Sequence, residues 1–159
     1  IALGIAKGAL EVFSDIAKNK IPMLSSASLA KRPIAQYRMG EAQAMYRSAR
    51  AWIMEAMTAV EDELRAGAEL PGAATTQEAR LACVYASNIC MKAVDLIHNT
   101  AGTTGMRMYS PLERKLRDSH GAATHRWVAH PLYQDLGAIL LGNEADGEFA
   151  GGNGQPMPK

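Results

Sequence analysis

From Ile34 to Leu70 apolar side chains return at helical spacing, at Tyr37, Ala42, Met45, Ala49, Trp52, Ile53, Met57, Val60 and Leu64, until Pro71-Gly72 breaks the run. A helix of that extent is about 50 Å long at ~1.5 Å per residue. Arg47, Arg50, Glu55, Glu61, Asp62 and Glu63 supply its solvated side. A second run starts at Thr75 or Thr76, with Glu78 close behind, and reaches about Thr100. It carries Ala82, Tyr85, Ala86, Ile89, Ala93, Leu96 and Ile97 on one side, and Leu81, Val84, Met91 and Val94 on others. Apolar residues on several faces predict burial in the middle of a bundle or against a second subunit. The expectation is an all-α fold.

Shorter helical patterns flank these two. Residues 1 to about 18 place Ala2, Ile5, Ala9, Val12, Phe13 and Ile16 at helical spacing. Gly4 and Gly8 lie on an adjoining stripe, where they either admit a close neighbour or are simply tolerated. Pro22 and the serines at 25, 26 and 28 mark a loop from Asn19 to Pro33. Ser110 is placed as an N-cap, with Pro111 at the first helical position and Glu113 set to close a capping box. Gly121 is expected to weaken this fourth helix midway. Pro131 opens a last segment from Leu132 to Leu141, with Leu136, Ile139 and Leu140 facing inward. Residues 1–142 thus read as one up-down four-helix bundle, and 143–159, poor in apolar residues, as a flexible tail.

Charge narrows the partners. With 17 basic and 16 acidic residues the formal net charge is +1, which favours neither nucleic acid nor an anionic membrane. No apolar run approaches the roughly 20 residues that span a bilayer. Cys83 and Cys90 stand roughly 10 Å apart along one predicted helix, too far for a disulfide, and read as small buried residues of a cytoplasmic protein. The chain begins at Ile1, inside a helical pattern and without a methionine, and is expected to be the C-terminal piece of something larger.

Chemistry-bearing residues concentrate between Asn99 and His130. His120, His125 and His130 recur every five residues, which at ~100° per residue turns each about 140° from the last. They cannot share one face of a straight helix, and no His-Glu-x-x-His pattern or Cys/His ligand set accompanies them, so no metal site is expected. No Gly-x-Ser-x-Gly elbow or Cys-His arrangement points to hydrolysis. The loop Gly102-Thr-Thr-Gly105 could bring backbone and hydroxyl donors to a phosphate; a helix-ending Gly102 with a turn at Gly105 explains it as well. Glu113 with Arg117, and Arg114 with Asp118, are spaced for ion pairs, while Arg117-Asp118 could also be a buried structural pair. His125, taken alone, reads as a hydrogen-bonded core histidine.

The stretch Ala101-Gly-Thr-Thr-Gly-Met-Arg-Met-Tyr-Ser-Pro-Leu-Glu-Arg-Lys-Leu-Arg-Asp118, the following His125 and the closing Leu-Gly-Ala-Ile-Leu-Leu-Gly142 resemble the C-terminal domain of the acyl-CoA dehydrogenase superfamily. The opening Leu-Gly-Ile-Ala-Lys-Gly-Ala-Leu10 and Arg38-Met-Gly-Glu-Ala42 fit the same domain. Within the superfamily the resemblance is closer to the two-component flavin-dependent monooxygenases, which hydroxylate phenols, steroid-derived phenols and sulfur heterocycles. Dehydrogenases of this superfamily commonly carry a catalytic glutamate, followed by Gly-Thr, eight residues after the Asp of the Arg-Asp pair. Here that position is Arg126, followed by Trp127-Val128. A cation cannot abstract a substrate proton. In the monooxygenase branch a histidine stands where His125 is.

The resemblance implies a homotetramer, completed by an N-terminal helical domain and a middle β domain that this chain lacks. It implies a reduced flavin cofactor, FMN or FAD, delivered by a separate reductase, and transfer of one oxygen atom from O2 to a small aromatic substrate. His125 is then the catalytic residue, accepting a phenolic proton or hydrogen-bonding the reactive oxygen. Gly102, Thr103 and Thr104 match the loop near the flavin, often presented to a neighbouring subunit, and Asn99 takes the place of a dehydrogenase glutamine. The usual Gly-Gly opening of that loop is Ala101-Gly102 here. Two alternatives stand beside this reading: an acyl-CoA dehydrogenase-like FAD domain, and a non-catalytic oligomerisation bundle.

Overall fold

The computed structural model describes residues 1–143, so the tail expected from 143 onward lies, beyond its first residue, outside the described residues. Five α-helices follow one another: α1 (Ala2–Asn19), α2 (Pro33–Arg65), α3 (Ala73–Ala101), α4 (Pro111–Ala123) and α5 (Leu132–Leu140). Single 3₁₀ turns occupy Leu29–Lys31 and Gly102–Thr104, and there is no strand among the described residues. The first four helices form the expected up-down bundle; α5 is a short addition against α3.

α3 is the central element. It packs against α1, α2, α4 and α5, which accounts for apolar residues on more than one of its faces. The core joins Ala6, Ala9, Leu10 and Phe13 of α1 to Cys90, Val94 and Ile97 of α3 and Leu112 of α4. On α2 the buried positions are Ala35, Ala42, Ala49 and Ala56, one every seven residues. Only Ala42 and Ala49 belong to the stripe expected from the sequence; Tyr37, at 63% exposure, and Met57 and Leu64 face outward. The physical reason is helix spacing. Small side chains let α2 approach α3 closely, and the larger Trp52 and Ile53 flank the seam half-buried.

Element ends differ from expectation where a side chain or glycine intervenes. α2 stops at Arg65 rather than Leu70 because Gly67 takes φ +96°. Its amide donates to Leu64 O and that of Ala68 to Glu63 O, closing a Schellman motif. α3 begins at Ala73 with Gly72 as N-cap, ahead of Thr75 and Thr76. Glu63 holds this turn, accepting from the Gly72 amide at 2.6 Å and from the Thr75 hydroxyl.

At α4, Ser110 caps as expected, accepting from the Leu112 amide at 3.3 Å with Pro111 following. The capping box does not close, because Glu113 accepts from Arg117 instead. Gly121 lies near the end of α4, not midway. Leu136 of α5 is buried, whereas Leu140, expected inward, is 76% exposed. Gly8 lies under the Lys115 side chain, and a Cβ there would sit 3.1 Å from Lys115 Cε; Gly4 has open space. Both cysteines are free.

Candidate active site

α4 ends in a tight turn that carries His125 back toward α3. The His125 amide donates to Ala122 O at 3.3 Å, and its carbonyl accepts from the Val128 amide at 2.9 Å. On the ring, Nδ1 accepts a long hydrogen bond, 3.4 Å, from the Trp127 amide. In a neutral imidazole that leaves the proton on Nε2. The turn is anchored from below by Asn88, only 3% exposed, whose amide nitrogen donates to Val84 O at 2.8 Å and to Val128 O at 3.2 Å.

The imidazole stands at a cleft of about 370 Å³ lined by Leu3, Ile53, Cys83, Ala86, Ser87 and Val128, among others. No Asp, Glu, Lys or Arg side chain is in its wall. Burial pushes the Cys83 thiol up from its ordinary value, so it stays protonated near neutral pH. His125 is therefore exposed at the edge of a largely apolar cleft, which Ile1 at the start of α1 also lines, rather than a core histidine.

The other expected residues lie elsewhere. Gly102 ends α3 with φ +60°, a conformation that favours glycine, and starts the 3₁₀ turn through Thr103 and Thr104. Asn99 and Thr103 are exposed and Thr104 half-buried. Lys20 Nζ donates to Ala101 O at 2.6 Å, placing a cation at the carbonyl end of α3, where the helix dipole favours one. Thr104, Lys20, Arg107 and Tyr109 line an open groove of about 600 Å³. A Cβ on Gly105 would meet the Ala101 side chain, Gly102 O and His98 Cδ2 at 3.3 Å, so the loop folds tightly on itself. His98 Nε2 behind it is buried without a hydrogen-bond partner.

These two places do not meet within one chain. Gly102 follows Ala86 by sixteen positions, roughly 24 Å of helix at ~1.5 Å per residue. The three regularly spaced histidines also diverge. His120 Nε2 is 2.7 Å from Asp95 Oδ1, His125 faces the cleft, and His130 packs against Tyr133 with ring centroids 5.4 Å apart. Among the described residues no three His, Cys, Asp or Glu side chains gather as a metal-ligand set. Glu113–Arg117 and Arg114–Asp118 pair along the helix at 2.7 and 3.7 Å. Arg117 and Asp118 are both exposed, so they are not a buried pair.

Lys20, Ser87 and Asn88 were not singled out in the sequence. The available signal was polar Ser87-Asn88 inside an otherwise apolar helix, and a lysine just past the end of another.

Residues 1–130 match the family described as acyl-CoA dehydrogenase, C-terminal domain. Indole-3-acetate monooxygenase of Acinetobacter baumannii is 29% identical over 142 residues, covering 89% of this chain and 36% of that protein. The oxygenase component of p-hydroxyphenylacetate 3-hydroxylase, also from Acinetobacter baumannii, is 29% identical over 149 residues, covering 92% and 35%. The chain therefore spans about a third of the length of the curated relatives it matches. The crystal structure of 3-HSA hydroxylase from Rhodococcus sp. RHA1 superposes with a TM-score of 0.77 over 89% of this chain and 35% of its own, at 22% identity, a likeness of fold. By its family match over residues 1–130, this chain belongs to the acyl-CoA dehydrogenase C-terminal domain family.

Proposed function

We propose that this chain is the C-terminal domain of the oxygenase component of a flavin-dependent monooxygenase, acting in the cytoplasm as a homotetramer on a small aromatic substrate. The observation that carries the proposal is the pairing of His125 with the largely apolar cleft, while Arg126 holds the position at which the dehydrogenase branch keeps a carboxylate base. Names of the relatives, an indole-3-acetate monooxygenase and a hydroxylase oxygenase component, point the same way. The latter name also supports a separate flavin reductase as partner.

The residues present fit the two ends of a flavin. An apolar cleft of about 370 Å³ suits a flat ring system, and Gly102 offers bare backbone with Lys20 Nζ 3.6 Å from where its Cβ would be, suited to a phosphate. Because the two ends are so far apart within one chain, Asn99 and Gly102–Thr104 would serve the flavin of a neighbouring subunit. Reduced flavin, FMN or FAD, supplies the activation of O2 from which one oxygen atom reaches the substrate ring. His125, protonated on Nε2, donates a hydrogen bond to an oxygen atom at the cleft mouth. The apolar walls exclude water around it.

The test is oxygen consumption and product formation by the full-length protein with reduced flavin and a phenol. His125→Ala is expected to lower hydroxylated product and raise hydrogen peroxide. Anaerobic bleaching of bound FAD by an acyl-CoA would instead establish a dehydrogenase, and unchanged coupling in His125→Ala would remove His125 from the mechanism.

A further inference from the structure

The outward side of α2 lies opposite its alanine seam. Ala49 is fully buried, and Ala51, two positions on, is turned about 200° away and exposed. One turn before Ala51 stand Arg47 and Ser48, and one turn after it Met54 and Glu55, all four exposed. Met54 keeps 51% of its surface accessible, an apolar side chain in the middle of a long outward face. Elsewhere on this helix charges pair within a turn, Arg38 with Glu41 at 2.9 Å and Arg65 with Glu61 at 2.6 Å. Arg47 and Glu55 are two turns apart with Ala51 midway between them, and neither has an ion pair within the described residues.

A cation and an anion spaced equally about a small residue form a pattern that is complementary to itself. When two copies of α2 run antiparallel across a two-fold axis at Ala51, each residue faces the one equally far beyond the axis. Arg47 then meets Glu55 of the partner subunit, and Glu55 meets the partner's Arg47, two ion pairs in one contact. Met54 falls beside the partner's Ser48. Ala51, with only a methyl group, lets the two axes approach to the ~8–10 Å of ordinary helix packing. A parallel pairing would set Arg47 against the partner's Arg47. A cover from another part of the same polypeptide, or from a reductase, gives no reason for opposite charges at equal distances on either side of Ala51.

We propose that the outward face of α2 is a self-association surface, on which a second copy of this chain docks antiparallel about a two-fold axis at Ala51, with Arg47–Glu55 pairs between the copies. The inference rests on the assembly named in the proposed function, not on its chemistry. It adds the surface and the register of one of the two-fold contacts from which a symmetric tetramer is built.

The experiment uses the full-length protein, its mass followed by sedimentation velocity through a dilution series. Arg47→Glu and Glu55→Arg each set like charges face to face. Either is expected to raise the concentration at which the assembly half-dissociates by at least about tenfold, and the double variant Arg47→Glu/Glu55→Arg to restore it. Both positions are exposed, so the fold is retained, which circular dichroism checks. Under mild oxidation Ala51→Cys is expected to form a reducible disulfide between subunits, absent from wild type with its own Cys83 and Cys90. Ala59→Cys, about 12 Å along the helix from the axis, should form none. Single reversals that leave the assembly intact, a double reversal that does not recover it, or no disulfide at Ala51 overturns the assignment and gives the face another occupant. Wild type that is monomeric throughout overturns the homotetramer and this surface with it, whereas an assembly insensitive to the reversals overturns only the surface. Oxygenation of a phenol by the same samples tests the monooxygenase reading alone.

Discussion

The side-chain amide of Asn88 donates to the backbone carbonyl of Val128 across 3.2 Å, tying the turn that presents His125 to the centre of the bundle. The same nitrogen also donates to Val84 O. Asn88→Ala removes both bonds and leaves the Val128 carbonyl without this donor. A loss of about 1–3 kcal/mol is expected, together with faster hydrogen exchange confined to residues 124–130. Chemical denaturation and exchange mass spectrometry check it; unchanged protection of the turn would show that Asn88 does not anchor it.

The seam between α2 and α3 depends on side chains no larger than a methyl group at Ala42 and Ala49, both fully buried. Ala49→Leu forces three further heavy atoms into a closely approached pair of helices. Destabilisation of about 1–3 kcal/mol or more is expected from the displaced neighbours. Ala44→Leu, on the exposed side of the same helix, is the control and should change stability by no more than about 0.5 kcal/mol. Equal effects at the two positions would contradict the packing described.

Glu63 joins α2 to the start of α3, and its hydrogen bonds hold its carboxyl below the ordinary value of 4.5, that from Thr75 first and that from the Gly72 amide second. A carboxyl depressed in the folded state contributes stability that is present above the unfolded value and is lost as pH falls through the folded one. The contribution should therefore disappear below about pH 4.5. Melting temperature measured against pH is expected to show a shallower acid limb in Glu63→Gln than in wild type. Parallel acid limbs would mean that Glu63 carries none of this dependence.

Cys90 is buried in the core, and desolvation pushes its thiol up to about 11, with Cys83 raised by the same cause. Raised thiols contribute stability that is complete below the unfolded value near 9 and is lost as pH rises through the folded ones. Stability should fall between about pH 9 and 11, and less steeply in Cys90→Ala once its lower baseline is subtracted.

The same burial orders the reactivity of the two thiols. A neutral maleimide at pH 7 should modify Cys83, half-buried at the cleft, before Cys90. Peptide mapping after partial labelling gives the order, and reaction at Cys90 first would place the cleft elsewhere.

Much of the fold was legible because helix periodicity and end signals are local. The repeat from Ile34 onward, the capped start at Ser110-Pro111 and the many-sided apolar pattern of residues 81–97 each depend on neighbours within a turn or two. The misplaced ends have equally local causes that were overlooked. Gly67 stops α2, and Gly72 precedes Thr75 as cap because Glu63 has already engaged the threonine hydroxyl. Which face of α2 is buried was not local at all. It depends on how near α3 lies, and a seam of alanines wins over a stripe of larger residues only once that distance is set.

The residues of the candidate site divide along the same line. Sequence alone singled out His125, Asn99, Gly102, Thr103 and Thr104, and determined that Arg126 cannot serve as a base. Tertiary structure decided the rest: His125 looks onto a largely apolar cleft, Lys20 closes the end of α3 beside Gly102, and Ser87 lines that cleft while Asn88 next to it bonds the Val128 carbonyl. The reason is that α3 and α4 run antiparallel over about 20 Å, bringing positions forty residues apart, such as Asn88 and Val128, into contact while holding the loop and the histidine at opposite ends.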